Sequence, residues 1–207
     1  GEYNKTSLAT VTVGASNTLL SNSQLNSNKV LHRMVGTNKP HAEFAAKYIV
    51  GQLNKKKIFV IYVNDIYGQE LKEHFEKALN FKIEGQEISK ETNDLTPMSR
   101  QLVAQIIPDD IEVIYFAGYF EQAKLLFGPI NDKFQALGKT ITFFASDAVD
   151  DQSMQDELDT SILNNLYYTA IAAPMGLNLT SLWPNANDVV TEWKDTQGQE
   201  LPPYLGE

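Results

Sequence analysis

Apolar and polar positions along the chain follow two alternating periods. Short runs of β-branched and aromatic residues, such as residues 58–63 (IFVIYV), predict strands of a parallel sheet that is covered on both faces. The stretch after this run has apolar residues at helical spacing, namely Leu71, Phe75 and Leu79. Strands and helices in regular alternation predict an α/β fold with a doubly wound parallel sheet and helices on both faces.

The same pattern gives bounds for the individual elements. Three strand runs are predominantly apolar, and we expect them to be the central strands: residues 58–63, 111–116 and 140–145. The other predicted strands are residues 8–13, 30–35, 81–88 and 166–172. The predicted helices are residues 40–53, 67–79, 96–107, 121–134 and 154–163. Beyond Pro174 the pattern weakens, although residues 187–194 could form one more helix.

Composition narrows the class of protein. A content of 43% apolar and 21% charged residues over 207 residues is ordinary for a globular domain. The net charge of −9 argues against binding to nucleic acid or to an anionic membrane surface. The absence of cysteine removes disulfides, thiolate zinc sites and cysteine nucleophiles. No apolar stretch approaches the ~20 residues that span a bilayer, and no charged-then-apolar leader opens the chain, so an exported protein would have lost its signal segment.

Motifs for catalysis or cofactor binding are missing from the sequence. It contains neither G-x-G-x-x-G nor the P-loop pattern, neither H-E-x-x-H nor the G-x-S-x-G elbow. Asp147, Asp150 and Asp151 could suggest a metal site, but a solvated cluster at a helix start explains them as well. We therefore expect no enzyme activity, no cofactor and no bound metal.

Four side chains follow predicted strands directly: Ser16, Tyr67, Tyr119 and Asp147. In an open parallel sheet, small ligands bind at the carboxyl ends of the strands, where such side chains meet. One acid, one hydroxyl and two aromatic rings suit binding better than catalysis. Two structural alternatives remain open, since the Gly14 turn could be a plain turn with a helix cap and Asp147 could cap the turn that follows it.

The motifs VGASNTLLS, KKIFVIYVNDIYGQELKEHFEKAL, VIYFAGYFEQAKLL and FFASDAVDD occur in that order. Together they resemble the type I periplasmic binding proteins of the Leu/Ile/Val-binding kind, which feed ABC transporters, over about residues 12–175. The resemblance implies a flavodoxin-like lobe and a partner lobe that close on an amino acid. It also implies roles for six residues: Gly14, Ala15 and Ser16 at the main-chain end of the ligand, Tyr67 and Tyr119 along its side chain, and Asp147 facing its ammonium group.

The resemblance implies a division of the chain that departs from the family at both ends. Residues 1–40 would be a piece of the first lobe with the ligand loop and hinge crossing, 41–172 the second lobe, and 173–207 a return towards the first. We therefore expect both ends to be cut edges of a longer architecture, with disordered termini as the alternative.

Two function classes are compatible with this resemblance. The first is a periplasmic or extracellular solute-binding protein that delivers a branched-chain or other apolar amino acid to an ABC permease in the membrane. The second is a ligand-binding sensory domain of a membrane receptor with the same fold. Neither class implies binding to nucleic acid or insertion of this chain into the membrane.

Overall fold

The computed structural model describes residues 8–21, 30–81, 83–91, 94–151 and 153–170. The strands are β1 Thr10–Thr12, β2 Leu31–Arg33, β3 Ile58–Val63, β4 Gly85–Ile88, β5 Val113–Ala117, β6 Thr142–Ala145 and β7 Leu166–Tyr168. The α-helices are α1 Asn38–Gly51, α2 Ile66–Leu79, α3 Thr96–Ile106, α4 Phe120–Ala136, α5 Met154–Glu157 and α6 Thr160–Leu163. Two 3₁₀ turns lie at Thr18–Ser21 and Asp147–Val149.

The main sheet has five parallel strands in the order β4-β3-β5-β6-β7. The chain adds β4 on one side of β3 and then crosses to β5 on the other, which is the flavodoxin-like order with its switch point between β3 and β5. The prediction of a doubly wound parallel sheet is therefore confirmed, and β3, β5 and β6 are central strands as expected. The strands β1 and β2 form a separate parallel pair.

Helices cover both faces of the main sheet because side chains alternate along each buried strand. On β5, Ile114 and Phe116 pack with residues of α3 and α4, whereas Tyr115 packs on the opposite face with residues of α1 and α2. The phenyl ring of Phe75 stacks on Tyr115 with ring centroids 3.9 Å apart. Burying each such side chain contributes roughly 1.5–3 kcal/mol, so these two layers account for much of the stability.

Most predicted bounds agree with the structure within two or three residues, and two predictions are wrong in part. The strand predicted at residues 81–88 begins only at Gly85, because Asn80 ends α2 in a left-handed conformation and the chain needs the next residues to reach the sheet. The single helix predicted at residues 154–163 is two short helices, because the extended backbone of Leu158 interrupts it and directs a buried side chain inwards.

Some predictions fall on residues that the structure does not describe. These are the last two residues of the strand predicted at 166–172, the helix predicted at 187–194, and the return segment 173–207. Across the described ranges, no helix combines the length and apolar character that a membrane crossing requires.

The first turn of α2 lies against the ends of two strands at Gly68. A Cβ atom at this position would stand 2.3 Å from the carbonyl oxygen of Val63 and 2.9 Å from that of Ala117. Both are backbone atoms, so they cannot rotate away as a side chain would. Only glycine lets the helix begin this close to β3 and β5, which sets the position of the residues around it.

We predict that Gly68→Ala destabilises the protein by roughly 1–3 kcal/mol, because the helix must move away from the sheet to relieve the clash. Urea unfolding of the two proteins measures the difference. Gly51→Ala is the matched control, since Gly51 ends α1 with no atom within 4 Å of a built Cβ. This control should be neutral or slightly stabilising, and equal stability of all three proteins would contradict the account.

Candidate functional site

The parallel register brings the turns after four strands to one edge of the main sheet. The relevant pairs are Val63 with Ile88, Tyr62 with Ala117, and Phe116 with Ala145. Two residues beyond the first pair lie Asp65 and Lys90, and two residues beyond Ala117 and Ala145 lie Tyr119 and Asp147. Side chains from β3, β4, β5 and β6 can therefore meet although up to 80 residues separate them along the chain, as they do for Tyr67 and Asp147.

Tyr67 and Asp147 form the first half of this cluster. The hydroxyl of Tyr67 donates a 2.6 Å hydrogen bond to Oδ1 of Asp147 and accepts one of 3.3 Å from the N–H of Ala148. Burial, followed by the Asp147 carboxylate, raises the pKa of Tyr67 above its usual value. The phenol thus stays protonated and keeps one carboxylate oxygen of Asp147 in a defined place. No bond from the Asp147 side chain to the turn that follows is present in the described structure, which disfavours the capping role.

Tyr119, Asp65 and Lys90 form the second half. The hydroxyl of Tyr119 donates a 2.6 Å hydrogen bond to Oδ2 of Asp65, and the Lys90 ammonium lies 3.2 Å from the same oxygen and 3.2 Å from the hydroxyl. The other oxygen of Asp65 accepts the N–H of Gly68 at 2.9 Å, so this carboxylate also caps α2. Both carboxylate oxygens of Asp65 therefore already accept hydrogen bonds.

The carboxylates of Asp65 and Asp147 differ in whether a cation is paired with them. Burial alone would raise the pKa of Asp65, but the hydrogen bonds from Gly68, Tyr119 and Lys90 outweigh it and lower the pKa below its usual value. The hydrogen bonds to Tyr119 and Asp65 in turn raise the pKa of Lys90. Asp65 and Lys90 thus form an ion pair, whereas no Lys, Arg or His of the described part of the chain lies within salt-bridge distance of Asp147.

The two tyrosine rings join the halves into one aromatic surface. Tyr67 and Tyr119 stack with ring centroids 5.3 Å apart and an angle of 30° between the planes. The Lys90 ammonium lies 4.4 Å from the centroid of the Tyr119 ring. Beneath them, the Ser146 hydroxyl donates to the carbonyl of Gly118 at 3.0 Å, which ties the end of β6 to the end of β5. Three of the predicted site residues, Tyr67, Tyr119 and Asp147, are therefore brought together.

The loop Gly14-Ala15-Ser16 follows β1 and lies outside this cluster. Its backbone is held by three contacts: Ala15 N–H donates to Thr12 Oγ1 at 3.1 Å, the Ser16 carbonyl accepts Asn38 N–H at 3.0 Å, and the Ala15 carbonyl accepts the guanidinium of Arg33. Among the described residues, no hydrogen bond or ring contact joins this loop to Tyr67, Tyr119 or Asp147. Gly14 is exposed, while Ala15 and Ser16 are half-buried.

Two residues of the cluster, Asp65 and Lys90, were not predicted from the sequence. Asp65 had a signal that could have identified it, because an aspartate directly before an amphipathic helix is a favoured N-cap and this one follows a buried strand. Lys90 had a weaker signal. It lies two residues beyond the end of the strand that was predicted to end at Ile88, in a polar stretch with two further charged residues.

Two other parts of the described structure were candidates for a site, namely the aspartates near Asp151 and an apolar cavity. Asp151 accepts both the N–H and the hydroxyl of Ser153, a local turn contact, and no group of three or more His, Asp or Glu within the described ranges could hold a metal ion. An apolar cavity of about 490 Å³ lies between α3 and α4, lined by residues such as Val103, Pro108 and Leu137, away from the strand ends. We place the candidate site at the strand ends because the polar and aromatic side chains meet there.

Comparison with curated proteins relates this chain to amino-acid-binding proteins. It is 28% identical to an "Amino acid binding protein" of Pseudomonas aeruginosa over 195 residues, which are 93% of this chain and 48% of that protein. It is 25% identical to the "Leu/Ile/Val-binding protein BraC3" of Rhizobium johnstonii over 208 residues, covering 84% of this chain and 55% of the relative. The chain spans about half the length of these curated relatives. No family model matches the chain.

Solved structures that superimpose on this chain include proteins named for leucine binding and for ABC transport. The leucine-binding protein LivK of Thermotoga maritima superimposes with a TM-score of 0.69 at 17% identity, over 96% of this chain and 53% of that one. An ABC transporter substrate-binding protein of Desulfitobacterium hafniense, solved in complex with Leu, gives a TM-score of 0.65 at 16% identity, over 98% and 54% of the two chains. The resemblance to type I periplasmic binding proteins of the Leu/Ile/Val-binding kind is thereby confirmed, and at these identities the structural matches show the fold.

We predict that Tyr119→Phe raises the pKa of Asp65 towards its usual value, because it removes one of the hydrogen bonds that favour the carboxylate. Carbon-13 NMR of the side-chain carboxyl group across the acid range measures the change. Tyr62→Phe is the control, since its hydroxyl interacts with Glu87 instead. An unchanged Asp65 titration in Tyr119→Phe would contradict the assigned hydrogen bond.

The same shift predicts how stability depends on pH. The folded-state pKa of Asp65 lies below its unfolded value of about 3.9, so its stabilising contribution is complete above that value and is lost as the pH falls through the folded pKa. Tyr119→Phe should therefore lose less stability on acidification than the parent protein does. Equal acid sensitivity of both proteins in urea unfolding would argue against this linkage.

Proposed function

We propose that this chain is part of an extracytoplasmic solute-binding protein that captures a branched-chain or other apolar amino acid between two lobes. The ammonium group of the ligand contacts Asp147, and the rings of Tyr67 and Tyr119 cover its side chain. The protein delivers this ligand to an ABC permease and acts in the periplasm or outside the cell. In this role it binds its ligand without chemical conversion and needs no cofactor.

One observation carries the proposal, namely the uneven use of two neighbouring carboxylates. Lys90 already neutralises Asp65, whereas the described structure leaves Asp147 with the neutral hydroxyl of Tyr67 as its side-chain partner. An ammonium group would give Asp147 a charge-assisted hydrogen bond. The adjacent tyrosine faces favour a cation electrostatically and an apolar side chain by burial of area.

The loop Gly14-Ala15-Ser16 is proposed to hold the main-chain carboxylate of the ligand. The N–H of Ala15 is occupied by Thr12, so the contacts would come from the N–H and hydroxyl of Ser16 and from the backbone of Gly14. A loop with small side chains lets its backbone approach a ligand closely. This part of the proposal requires the loop and the tyrosine cluster to face each other across one cleft.

The relatives support transport rather than sensing. Two of the related proteins bear the names of a Leu/Ile/Val-binding protein and an ABC transporter substrate-binding protein. Because the chain spans about half of the relatives' length, we assign residues 41–172 to a second lobe, 1–40 to a piece of the first lobe with the hinge crossing, and 173–207 to a return towards it. The binding experiment below therefore uses the full-length protein that contains this chain.

We predict that Asp147→Asn lowers the affinity for leucine about tenfold or more in isothermal titration calorimetry. Truncating one partner of a desolvated charge pair costs about 2–5 kcal/mol, and each 1.4 kcal/mol is about a factor of ten. The melting temperature without ligand should change little, because the asparagine oxygen can still accept the Tyr67 hydroxyl.

The matched control is Asp156→Asn, which removes the same charge from an exposed position on α5. It should leave both affinity and melting temperature unchanged. A screen of amino acids, small amides and carboxylates by thermal shift extends the test, since a bound ligand stabilises by RT ln(1 + [L]/Kd). Retained affinity in Asp147→Asn would show that the ammonium group of leucine does not contact Asp147.

A further inference from the structure

We propose that Glu70 is a positioning residue for the proposed ligand site, because it holds the Ser16 segment against the helix that carries Tyr67. This inference rests on the proposed function and adds a residue that neither the motifs nor the tyrosine cluster identifies. Glu70 lies three residues after Tyr67 in α2, and its side chain is only 11% exposed.

Both oxygens of the Glu70 carboxylate receive hydrogen bonds from distant parts of the chain. Oε1 accepts the backbone N–H of Thr18 at 2.7 Å, and Oε2 accepts the side-chain amide of Asn38 at 2.7 Å. The ring nitrogen Nε2 of His74, one turn further along α2, lies 3.5 Å from Oε1. Hydrogen bonds to an ionised acceptor are stronger than neutral ones, and a carboxylate this little exposed would remain poorly solvated if it lost them.

Both contacts of Glu70 are made to residues that are linked directly to Ser16, Thr18 through the chain and Asn38 through a hydrogen bond. Thr18 follows Ser16 by two residues and opens the 3₁₀ turn Thr18–Ser21. Asn38 opens α1, and its backbone N–H donates to the carbonyl of Ser16 at 3.0 Å while its side chain donates to Glu70. A continuous set of hydrogen bonds therefore runs from Ser16 through Asn38 to Glu70, and from there along α2 to Tyr67.

The loop has little other support from regular structure. The strands β1 and β2 beside it have three residues each, and a pair of this size is marginal on its own. The guanidinium of Arg33 adds contacts to the carbonyls of Ala15 and Asn17, but Arg33 itself belongs to this pair. Glu70 thus ties the loop to α2, and it also holds Asn38, whose backbone N–H ties the loop to the start of α1.

Residues 1–40 and 41–172 are assigned to different lobes, so the contacts of Glu70 with Thr18 and Asn38 would join the two lobes and favour the closed arrangement in which Ser16 and Tyr67 both reach the ligand. A ligand binds more tightly when this arrangement is already populated before it arrives, because less of the binding free energy is used to close the lobes. A residue that only stabilised the fold would change the melting temperature without changing the order of the loop.

The test uses Glu70→Gln alone and together with Asn38→Asp. In the single variant a neutral amide replaces the carboxylate, so Thr18 and Asn38 lose their charge-assisted hydrogen bonds and only weaker neutral ones can replace them. In the double variant the amide at position 70 can donate to the carboxylate at position 38, while its oxygen still accepts from Thr18. The pair exchanges amide and carboxylate and leaves the net charge of the protein unchanged.

The first measurement is hydrogen exchange of the Thr18 amide in the 207-residue chain without ligand. We expect exchange to be at least about tenfold faster in Glu70→Gln and to return towards the parent rate in the double variant. Glu73→Gln is the control, because Glu73 lies on the exposed side of the same helix with a side chain 66% exposed. Unchanged Thr18 exchange in Glu70→Gln would overturn the proposal.

The second measurement is the dissociation constant of leucine for the full-length protein. It should rise several-fold in Glu70→Gln and recover in the double variant, with Glu73→Gln equal to the parent. Faster Thr18 exchange with unchanged affinity would overturn the positioning role alone. Absence of leucine binding by the parent protein would instead overturn the proposed function for this ligand, and with it the role of Glu70 there.

Discussion

The candidate site depends on the parallel register of four adjacent strands. Because β3, β4, β5 and β6 run in the same direction and end at nearly the same level, their following residues share one edge of the sheet. The short distance between α2 and this edge at Gly68 then brings Tyr67 over the strand ends. The hydrogen bonds among Tyr67, Tyr119, Asp65 and Asp147 follow from that placement.

Asp65 and Asp147 have different partners, and this difference decides which of them suits a positively charged ligand group at the sheet edge. Asp65 has a structural task as the N-cap of α2, and Lys90 balances its charge. Asp147 has the same functional group but receives a neutral phenol instead of a cation. The hydroxyls of the stacked tyrosines donate to both carboxylates at partly buried positions, and partial burial strengthens any charge interaction made there. A positively charged ligand group is therefore better suited to Asp147 than to Asp65.

The sequence carried enough information for most of the fold. Runs such as 58–63 are buried on both faces and have one interpretation, so their bounds were predicted closely. The strand at Gly85–Ile88 was predicted too long, because the left-handed Asn80 and the connection after it leave no mark in the apolar pattern. The helix at 154–163 was predicted as one element because a buried Leu158 suits a helix as well as an extended break.

The site could be predicted only in part, because some of its contacts join residues that are far apart in the chain. Counting residues that follow buried strands identified Tyr67, Tyr119 and Asp147, and the register brings these three together. It could not show which carboxylate is paired, because that depends on Lys90, which reaches Asp65 only through the lateral pairing of β3 and β4. The contacts of Glu70 with Thr18 and Asn38 were equally invisible, since they join positions 52 and 32 residues apart.

A crystal structure of the full-length protein grown with leucine tests the central claim most directly. The account predicts leucine at the carboxyl edge of the sheet, with its ammonium nitrogen within hydrogen-bond distance of Asp147, its side chain against Tyr67 and Tyr119, and its carboxylate at Ser16. Leucine bound elsewhere, for example in the apolar cavity between α3 and α4, or bound at this edge with its ammonium group away from Asp147, would contradict it.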